Sequence, residues 1–315
     1  MTRPTKIGVA LPHGEGDATP AGTSPTTLGW PAIRSIAERA EAAGLDSLWV
    51  FDHLLVRMED EPESGLHEAL TILTATAAVT ERAELGVLVA CTSFRNPALL
   101  AKMAATMDEV SGGRLILGIG CGWHEPEYEA FGYEFAHRVS RFEESLDIIR
   151  PLLRGESVSL EGDWVQARDA VLRPPPARLD IPLLIASKGP RMMRLAARDA
   201  QAWNTAWYAG PDHERFISRV AGIRAACEAT GRDPSTMEIT VGFSARAPGD
   251  PRRDDEPPGT TFSGSSDELV ERLADWQAAG VGHVITALDP CTPDAVEWLA
   301  AGAAGYRASS HQRPA

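Results

Sequence analysis

The sequence has 315 residues, of which 43% are hydrophobic and 23% are charged, and its formal net charge is −14. This balance is typical of a globular protein, and the negative charge argues against nucleic acid or an anionic membrane as a partner, since both require a dense basic surface. No apolar run approaches the roughly 20 residues of a membrane helix, and the N-terminus does not resemble a signal peptide, so we expect a cytoplasmic protein.

Short apolar runs alternate with amphipathic segments along the chain. The runs read as strands that are buried on both faces, as in a parallel sheet. In chain order the predicted strands cover 7–12, 47–51, 85–91, 115–119, 181–185, 201–205, 237–243 and 283–288. The helices that follow them are predicted at 31–43, 66–79, 96–111, 138–153, 191–198, 212–230, 266–279 and 293–304. Eight such repeats predict an α/β fold, a single (β/α)8 TIM barrel that spans residues 1–315.

Other segments are expected to lie outside the barrel repeats. Residues 155–175 predict a short hairpin insertion that turns at 161–163, and residues 125–131 predict a loop or a short helix. We expect a solvated acidic loop at 59–63, a mobile loop at 247–260 and a frayed tail at 307–315. The four cysteines show no spacing typical of metal ligands, so we expect free thiols and no metal site.

Candidate site residues follow from position, because ligands of such barrels lie over the carboxyl ends of the strands. Asp52 and His53 end the second strand, and an imidazole beside a carboxylate can exchange a proton near neutral pH. The alternative is that His53 only packs in the barrel mouth. Further candidates at strand ends are His13, Cys91, Gly120, Cys121, Gly122, Trp123, Ser187, Lys188, Gly189, Trp207 and Tyr208.

Two of these strand ends have local chemistry of their own. Ser187, Lys188 and Gly189 stand between a strand and a helix, where free backbone N–H groups and the helix dipole favour a phosphate, although the segment could be an ordinary turn. The segment 118–122 lacks the spacing of a dinucleotide-binding fingerprint, so its glycines are better interpreted as letting the backbone approach a flat ring. His13, Trp123, Trp207 and Tyr208 would line the substrate side, or pack at the rim.

Five segments together resemble one family. They are WVFDH at 49–53, RNPALLAK at 95–102, SGGRLILGIG at 111–120, ASKGPR at 186–191 and AWN at 202–204. In this order and at these spacings they resemble the bacterial luciferase-like monooxygenase superfamily, and within it the branch that uses the deazaflavin coenzyme F-420.

The resemblance implies roles for particular residues. The matching histidine, His53, would face the deazaflavin ring and act in catalysis, and Asp52 would bind the cofactor. The remaining cofactor contacts would come from Leu88, Val89, Cys91, Gly120, Cys121, Gly122, Ala186, Ser187, Lys188 and Gly189. Relatives have a bulge with a non-proline cis peptide bond in the third strand, which is expected here at Leu88–Val89.

Two positions depart from the patterns of relatives. Relatives often have a glycine where this chain has Lys188, so the role of that ammonium is open. Trp123 occupies the place of a catalytic glutamate in the relative that oxidises glucose 6-phosphate, so sugar-phosphate oxidation is not expected. An aromatic wall favours a more apolar substrate.

The sequence therefore predicts an F-420-dependent oxidoreductase that transfers a hydride between C5 of the deazaflavin and an unidentified small organic substrate. The first alternative is an FMN-dependent two-component monooxygenase of the same superfamily. The second is a barrel that binds a flavin or another ligand without turnover. Because relatives are usually dimers, a homodimer is expected.

Overall fold

The computed structural model describes residues 4–21, 23–59, 63–250 and 259–310. The chain divides into two units, one from the described parts of Met1–Trp49 and Ser187–Ala315 and the other from those of Val50–Ala186. The expectation of a single domain stays a prediction. Most of the predicted mobile loop at 247–260, and parts of the predicted acidic loop and frayed tail, lie outside the described residues.

Strands and helices alternate along the described parts of the chain. The strands are β1 (Lys6–Ala10), β2 (Ser47–Val50), β3 (Leu55–Val56), β4 (Ser64–Gly65), β5 (Glu84–Val87), β6 (Ala90–Cys91), β7 (Leu115–Gly120), β8 (Val158–Glu161), β9 (Gln166–Ala170), β10 (Leu183–Ala186), β11 (Ala202–Tyr208), β12 (Glu238–Arg246), β13 (Phe262–Ser263) and β14 (His283–Leu288). The helices are α1 (Trp30–Ala42), α2 (Ala69–Ala77), α3 (Pro97–Ser111), α4 (Glu125–Phe131), α5 (Arg138–Leu153), α6 (Pro190–Asp199), α7 (Glu214–Ala229), α8 (Ser266–Ala278) and α9 (Pro293–Ser310). Within the described ranges, no helix combines the length and the apolar character that crossing a bilayer requires.

Each unit is built on parallel strands. In the first unit the strand order is β11, β12, β14, β1, β2, and every neighbouring pair is parallel. In the second unit β7 pairs in parallel with β5, β6 and β10. Antiparallel hairpins are formed by β3 with β4 and by β8 with β9, and the latter is the predicted insertion. The strands thus bring their carboxyl ends to a common edge in each unit.

The structure differs from the sequence-based expectation at several places. The predicted strand 85–91 is interrupted between β5 and β6 at Leu88–Val89, and this peptide bond is cis, as expected. The hairpin of β3 and β4 was not predicted. Strand β11 extends to Tyr208, so Trp207 lies within the strand instead of beyond it. Helix α9 continues to Ser310, past the predicted helix end at residue 304, and Arg307 bonds Asp46 at 2.7 Å. The frayed tail from residue 307 stays a prediction.

A buried polar network fastens the amino ends of β2 and β14. The hydroxyl of Ser47 lies 2.7 Å from Nε2 of His283 and accepts a hydrogen bond of 2.7 Å from Nε1 of Trp49. Burial, and then the charge of Lys6, lower the pKa of His283 from 6.5 to about 3. The imidazole is therefore neutral, and its Nε2 shares a hydrogen bond with the Ser47 hydroxyl whose donor is set by the tautomer of the ring.

This network predicts a loss of stability in acid. The pKa of His283 is lower in the folded than in the unfolded chain, so its contribution is complete above pH 6.5 and falls as the pH drops from 6.5 towards 3. Acidification from pH 7 to 5 should cost about 2 kcal/mol through this group, at about 1.4 kcal/mol per pH unit. His283→Gln keeps an acceptor but does not titrate, so it should abolish this loss of unfolding free energy between pH 7 and 5. Urea unfolding at both pH values measures it, and an equal pH dependence in the two proteins would contradict the assignment.

Candidate active site

Asp52 follows β2 and is enclosed by donors. Its side chain is 1% exposed and accepts hydrogen bonds from both terminal nitrogens of Arg95, at 2.6 and 2.8 Å. Its Oδ2 also accepts from the amide of Cys91 at 2.8 Å. Arg95 in turn bonds Glu68 at 2.6 Å. The Asp52 carboxylate thus connects the end of β2 to β6 through a hydrogen bond. Its contact with a cofactor stays a prediction.

His53 makes a close pair with Glu127 of α4. Nδ1 of His53 lies 3.1 Å from Oε1 and 3.3 Å from Oε2 of Glu127, whose Oε2 also accepts from the amide of Leu54 at 2.9 Å. The side chain of Glu127 is 2% exposed, whereas that of His53 is 23% exposed. Because a carboxylate only accepts, Nδ1 carries a proton, and Nε2 is left as the nitrogen that can exchange one.

Glu127 was not predicted as a site residue. Its segment was interpreted as a loop or a short helix, and it forms the helix α4. Glu127 stands at the third position of this helix, where the helix dipole favours a negative charge.

Trp123 and His124 surround the imidazole of His53. The Trp123 ring lies edge-on to it with a centroid distance of 5.5 Å, and the side chain of Trp123 is more than half exposed. His124 is buried, its Nε2 accepts from the amide of Arg57 at 2.9 Å, and burial is the largest cause that lowers its pKa. His124 is therefore a neutral structural group, and Trp123 offers an apolar surface next to His53.

The cysteines near β6 and β7 are protonated packing groups. Sγ of Cys91 lies 3.0 Å from the hydroxyl of Tyr128, which donates to the carbonyl of Cys121 at 2.7 Å. Burial raises the pKa of Cys91 to about 12 and also raises that of Cys121. Both thiols are free, as expected, and neither is poised as a nucleophile.

The glycines of β7 and the following turn make room for protein atoms. A Cβ on Gly122, whose φ is +72°, would lie 2.0 Å from the hydroxyl of Tyr128. A Cβ on Gly120 would lie 2.7 Å from a methyl group of Val89, which stands at the interruption of β5 and β6. These glycines are required by packing within the chain, while their predicted contact with a flat ring stays a prediction. Leu88 is anchored beside them by its amide, which donates to the carbonyl of Val50 at 2.8 Å.

The predicted phosphate turn is well anchored and open. The amide of Ser187 donates to the carbonyl of Asn204 at 3.3 Å, so the expectation of a free N–H group is wrong for this residue. The Ser187 hydroxyl accepts from Nε1 of Trp203 at 2.8 Å. Gly189 is the N-cap of α6 and provides no side-chain cap, and a Cβ built on it meets nothing within 4 Å. The start of α6 therefore leaves space for a ligand next to Gly189.

The other predicted residues are placed as follows. His13 is fully buried, and its Nδ1 lies 3.0 Å from the carbonyl of Leu11. Tyr208 is also buried, and its hydroxyl accepts from Arg219 at 2.8 Å. Trp207 is half-buried, and its ring lies over Gly242. Ala186 is half-buried at the end of β10. Direct ligand contacts of these four residues stay predictions.

A family model supplies the identification. Residues 5–248 match the model of the luciferase-like monooxygenases, which is most of the chain. The chain belongs to the luciferase-like monooxygenase family. The resemblance of the five sequence segments to the luciferase-like superfamily is thereby confirmed, and the family is one of enzymes.

Two relatives are informative. A phthiodiolone/phenolphthiodiolone dimycocerosates ketoreductase of Mycobacterium tuberculosis is 37% identical over 250 residues, which are 73% of this chain and 63% of the relative. An F-420-dependent glucose-6-phosphate dehydrogenase of Amycolatopsis mediterranei is 38% identical over 168 residues, covering 51% of this chain and 49% of the relative. The chain thus spans less than two thirds of the length of these curated luciferase-like relatives.

A solved structure shows the fold. The coenzyme F-420-dependent tetrahydromethanopterin reductase of Methanopyrus kandleri superposes with a TM-score of 0.75 at 19% identity, covering 99% of this chain and 100% of the reductase. The expected fold class, the (β/α)8 barrel of luciferase-like proteins, is confirmed.

Proposed function

We propose that this luciferase-like protein is an F-420-dependent oxidoreductase that interconverts a carbonyl and an alcohol group on a rather apolar organic substrate. The observation that carries the proposal is the pair of His53 and Glu127 after β2, with Nε2 of the imidazole left for proton exchange. Relatives named as an F-420-dependent dehydrogenase and a ketoreductase support it. A homodimer in the cytoplasm stays a prediction.

Residues within each unit would suit one part of a deazaflavin with an anionic tail. In the turn of Ser187, Lys188 and Gly189, the amides of Lys188 and Gly189 would hold the phosphate, since the turn lies at the start of a helix of ten residues and is open next to Gly189. The backbone at Leu88 and Val89 would support the ring, as the family resemblance implies. No acidic side chain is part of that turn.

When bound, the deazaflavin supplies hydride transfer at its C5 carbon. The chain's own contribution is proton transfer at the substrate oxygen. In reduction, protonated His53 donates from Nε2 to the oxygen of the carbonyl, and in oxidation neutral His53 accepts the hydroxyl proton at the same nitrogen. Glu127 holds Nδ1 protonated in both directions, and the exposed ring of Trp123 provides an apolar contact for the substrate.

A side-by-side titration with F-420 and FMN tests the proposal. Quenching of F-420 fluorescence, with much weaker binding of FMN, is the expected result. Tighter binding of FMN would favour a two-component monooxygenase, and F-420 binding without turnover of any alcohol or ketone would favour a non-catalytic barrel. Either outcome would overturn the proposal.

The phosphate assignment predicts the effect of a valine at Gly189. Because the built Cβ meets no protein atom, Gly189→Val should fold normally, yet the side chain would occupy the phosphate position. We expect the Kd for F-420 to rise at least about tenfold, because one or two charge-assisted hydrogen bonds to the phosphate would be lost. Fluorescence titration measures it, and thermal unfolding checks the fold.

A matched control exists at Gly29, the N-cap of α1. Its φ and ψ of −76° and 163° resemble the −98° and 155° of Gly189. Gly29→Val should leave the affinity for F-420 unchanged. An unchanged affinity in Gly189→Val would place the phosphate elsewhere.

A further inference from the structure

Three basic side chains gather beside the start of α6. Lys188 belongs to the turn that precedes the helix, and Arg215 and Arg219 lie one turn apart on α7. Residues 215, 219 and 222 share one face of α7, because they are spaced by four and three positions. Gly222 packs against Met193 in the first turn of α6, where a built Cβ would lie 3.1 Å from the sulfur. The two arginines therefore lie on the face of α7 that packs against the first turn of α6 at Gly222.

Both arginines are positioned by Tyr208 of β11. Arg219 donates from one nitrogen to the Tyr208 hydroxyl at 2.8 Å and to the Thr205 hydroxyl at 3.1 Å. The guanidinium of Arg215 lies over the Tyr208 ring, 5.3 Å from its centroid. Since β11 also receives the amide of Ser187 at Asn204, one strand holds the turn and the arginines together.

The three cations lack acidic partners in the described part of the chain. The salt bridges found there include none with Lys188, Arg215 or Arg219. Asp212, which lies just before α7, is 3.7 Å from Arg272 instead. Partial burial is the largest cause that lowers the pKa of Lys188, and the positive charges of Arg219 and Arg215 lower it further. In a chain with a net charge of −14, such a cluster favours an anion with several charges.

We propose that Lys188, Arg215 and Arg219 bind carboxylates that follow the phosphate in the tail of the deazaflavin cofactor, and that they thereby select F-420 over FMN. This inference depends on the proposed function. A single phosphate is satisfied by the turn and the helix start, and FMN carries no charge beyond it. The tail of F-420 continues from the phosphate into lactyl and glutamyl groups, whose carboxylates would be the counter-ions of the cluster.

The test compares ligands that share the ring and differ in the tail. The probes are the deazaflavin chromophore without phosphate, the form with a phospholactyl group but no glutamate, and F-420 with several glutamates. Fluorescence titration gives the Kd of each, at low and at high salt. For the unchanged protein we expect an affinity that increases with each carboxylate and a salt dependence that is largest for the longest tail.

The decisive variant is Lys188→Met with Arg215→Gln, which leaves Arg219 and its bonds to β11 in place. It should weaken binding of the polyglutamylated form at least about tenfold, with little change for the chromophore. Arg194→Gln, on the exposed side of α6, is the control for loss of a positive charge, and thermal unfolding checks the fold.

The outcomes separate the two proposals. If the unchanged protein binds no deazaflavin, the proposed function fails. If the unchanged protein binds F-420 but the double variant keeps the same preference for longer tails, the cation cluster does not bind the tail carboxylates. The inference is then wrong. The inference is also wrong if the unchanged protein binds the phospholactyl and polyglutamylated forms equally.

Discussion

His53→Ala is expected to lower turnover at least about tenfold, and a loss of about a hundredfold is ordinary for a positioned acid or base. The reason is the geometry at the end of β2. Glu127 occupies Nδ1 of His53, so Nε2 is the atom that can move a proton at the substrate oxygen. Without the imidazole, water would have to supply this proton, and the carbonyl or alkoxide oxygen would develop its charge without a nearby partner.

The experiment needs a substrate, which a screen can provide. Secondary alcohols and ketones with apolar chains are offered to the unchanged enzyme with F-420, and the cofactor absorbance reports turnover. The variant is then measured on whichever compound reacts. The Kd for F-420 should change little, so that the loss lies in the chemical step, and added imidazole should restore part of the rate.

Two results would contradict this role for His53. Turnover of the same compound at the original rate would show that the imidazole only packs near Trp123. A large loss of cofactor affinity with unchanged turnover at saturation would show that His53 binds the cofactor without moving a proton.

The sequence predicts elements well where local chemistry decides their ends. Helix α3 is an example, because Oδ1 of Asn96 accepts from the amides of Ala98 and Leu99, at 2.9 and 3.2 Å. It ends at Ser111, and the following C-cap residue, Gly112, has a φ of +67°. Both signals are carried by single residue types at fixed positions, so they can be recognised without the fold.

The interruption between β5 and β6 is a different case. The run 85–91 is apolar throughout, and its pattern alone indicates a continuous strand. The departure at Leu88–Val89 was expected only from the family resemblance. It coincides with partners that are distant in sequence, namely the carbonyl of Val50, which receives the Leu88 amide, and Gly120, which faces Val89.

Position along the chain does not show which side chains at strand ends are buried. Tyr208 was predicted to line the substrate side, yet β11 continues to this residue and its side chain is buried. Its hydroxyl holds Arg219, so its observed contacts position a cation. Trp207 and Tyr208 both follow the short apolar run and cannot be distinguished from the sequence pattern. The length of β11 decides which of the two side chains is buried.

Glu127 was missed for a related reason. Glu125, Glu127 and Glu129 alternate in one short segment and look like a solvated surface. In the structure Glu125 and Glu129 are exposed, and Glu127 is buried with both oxygens in use. Only the folding of this segment into α4, against the chain at His53 and Leu54, distinguishes one carboxylate from the other two.

Glu127→Gln is therefore expected to lower turnover at least about tenfold while leaving the fold intact. The amide has the shape of the carboxylate, and its oxygen can still accept from the amide of Leu54. Its nitrogen would instead donate to Nδ1 of His53, which would move the imidazole proton to Nε2. Neutral His53 could then no longer accept a proton at Nε2. Protonated His53 would no longer be stabilised by the negative charge of the Glu127 carboxylate.

The readouts distinguish this role from simple packing. Nitrogen NMR of the His53 ring should show Nδ1 protonated in the unchanged enzyme and Nε2 protonated in Glu127→Gln. Glu129→Gln, which removes the same charge from the exposed side of α4, should change neither the ring spectrum nor turnover. Because Glu127 acts through His53, adding His53→Ala to Glu127→Gln should cost little more than His53→Ala alone. Fully additive losses would mean that Glu127 acts independently of the imidazole. An unchanged tautomer with normal turnover in Glu127→Gln would mean that the two side chains only pack against each other.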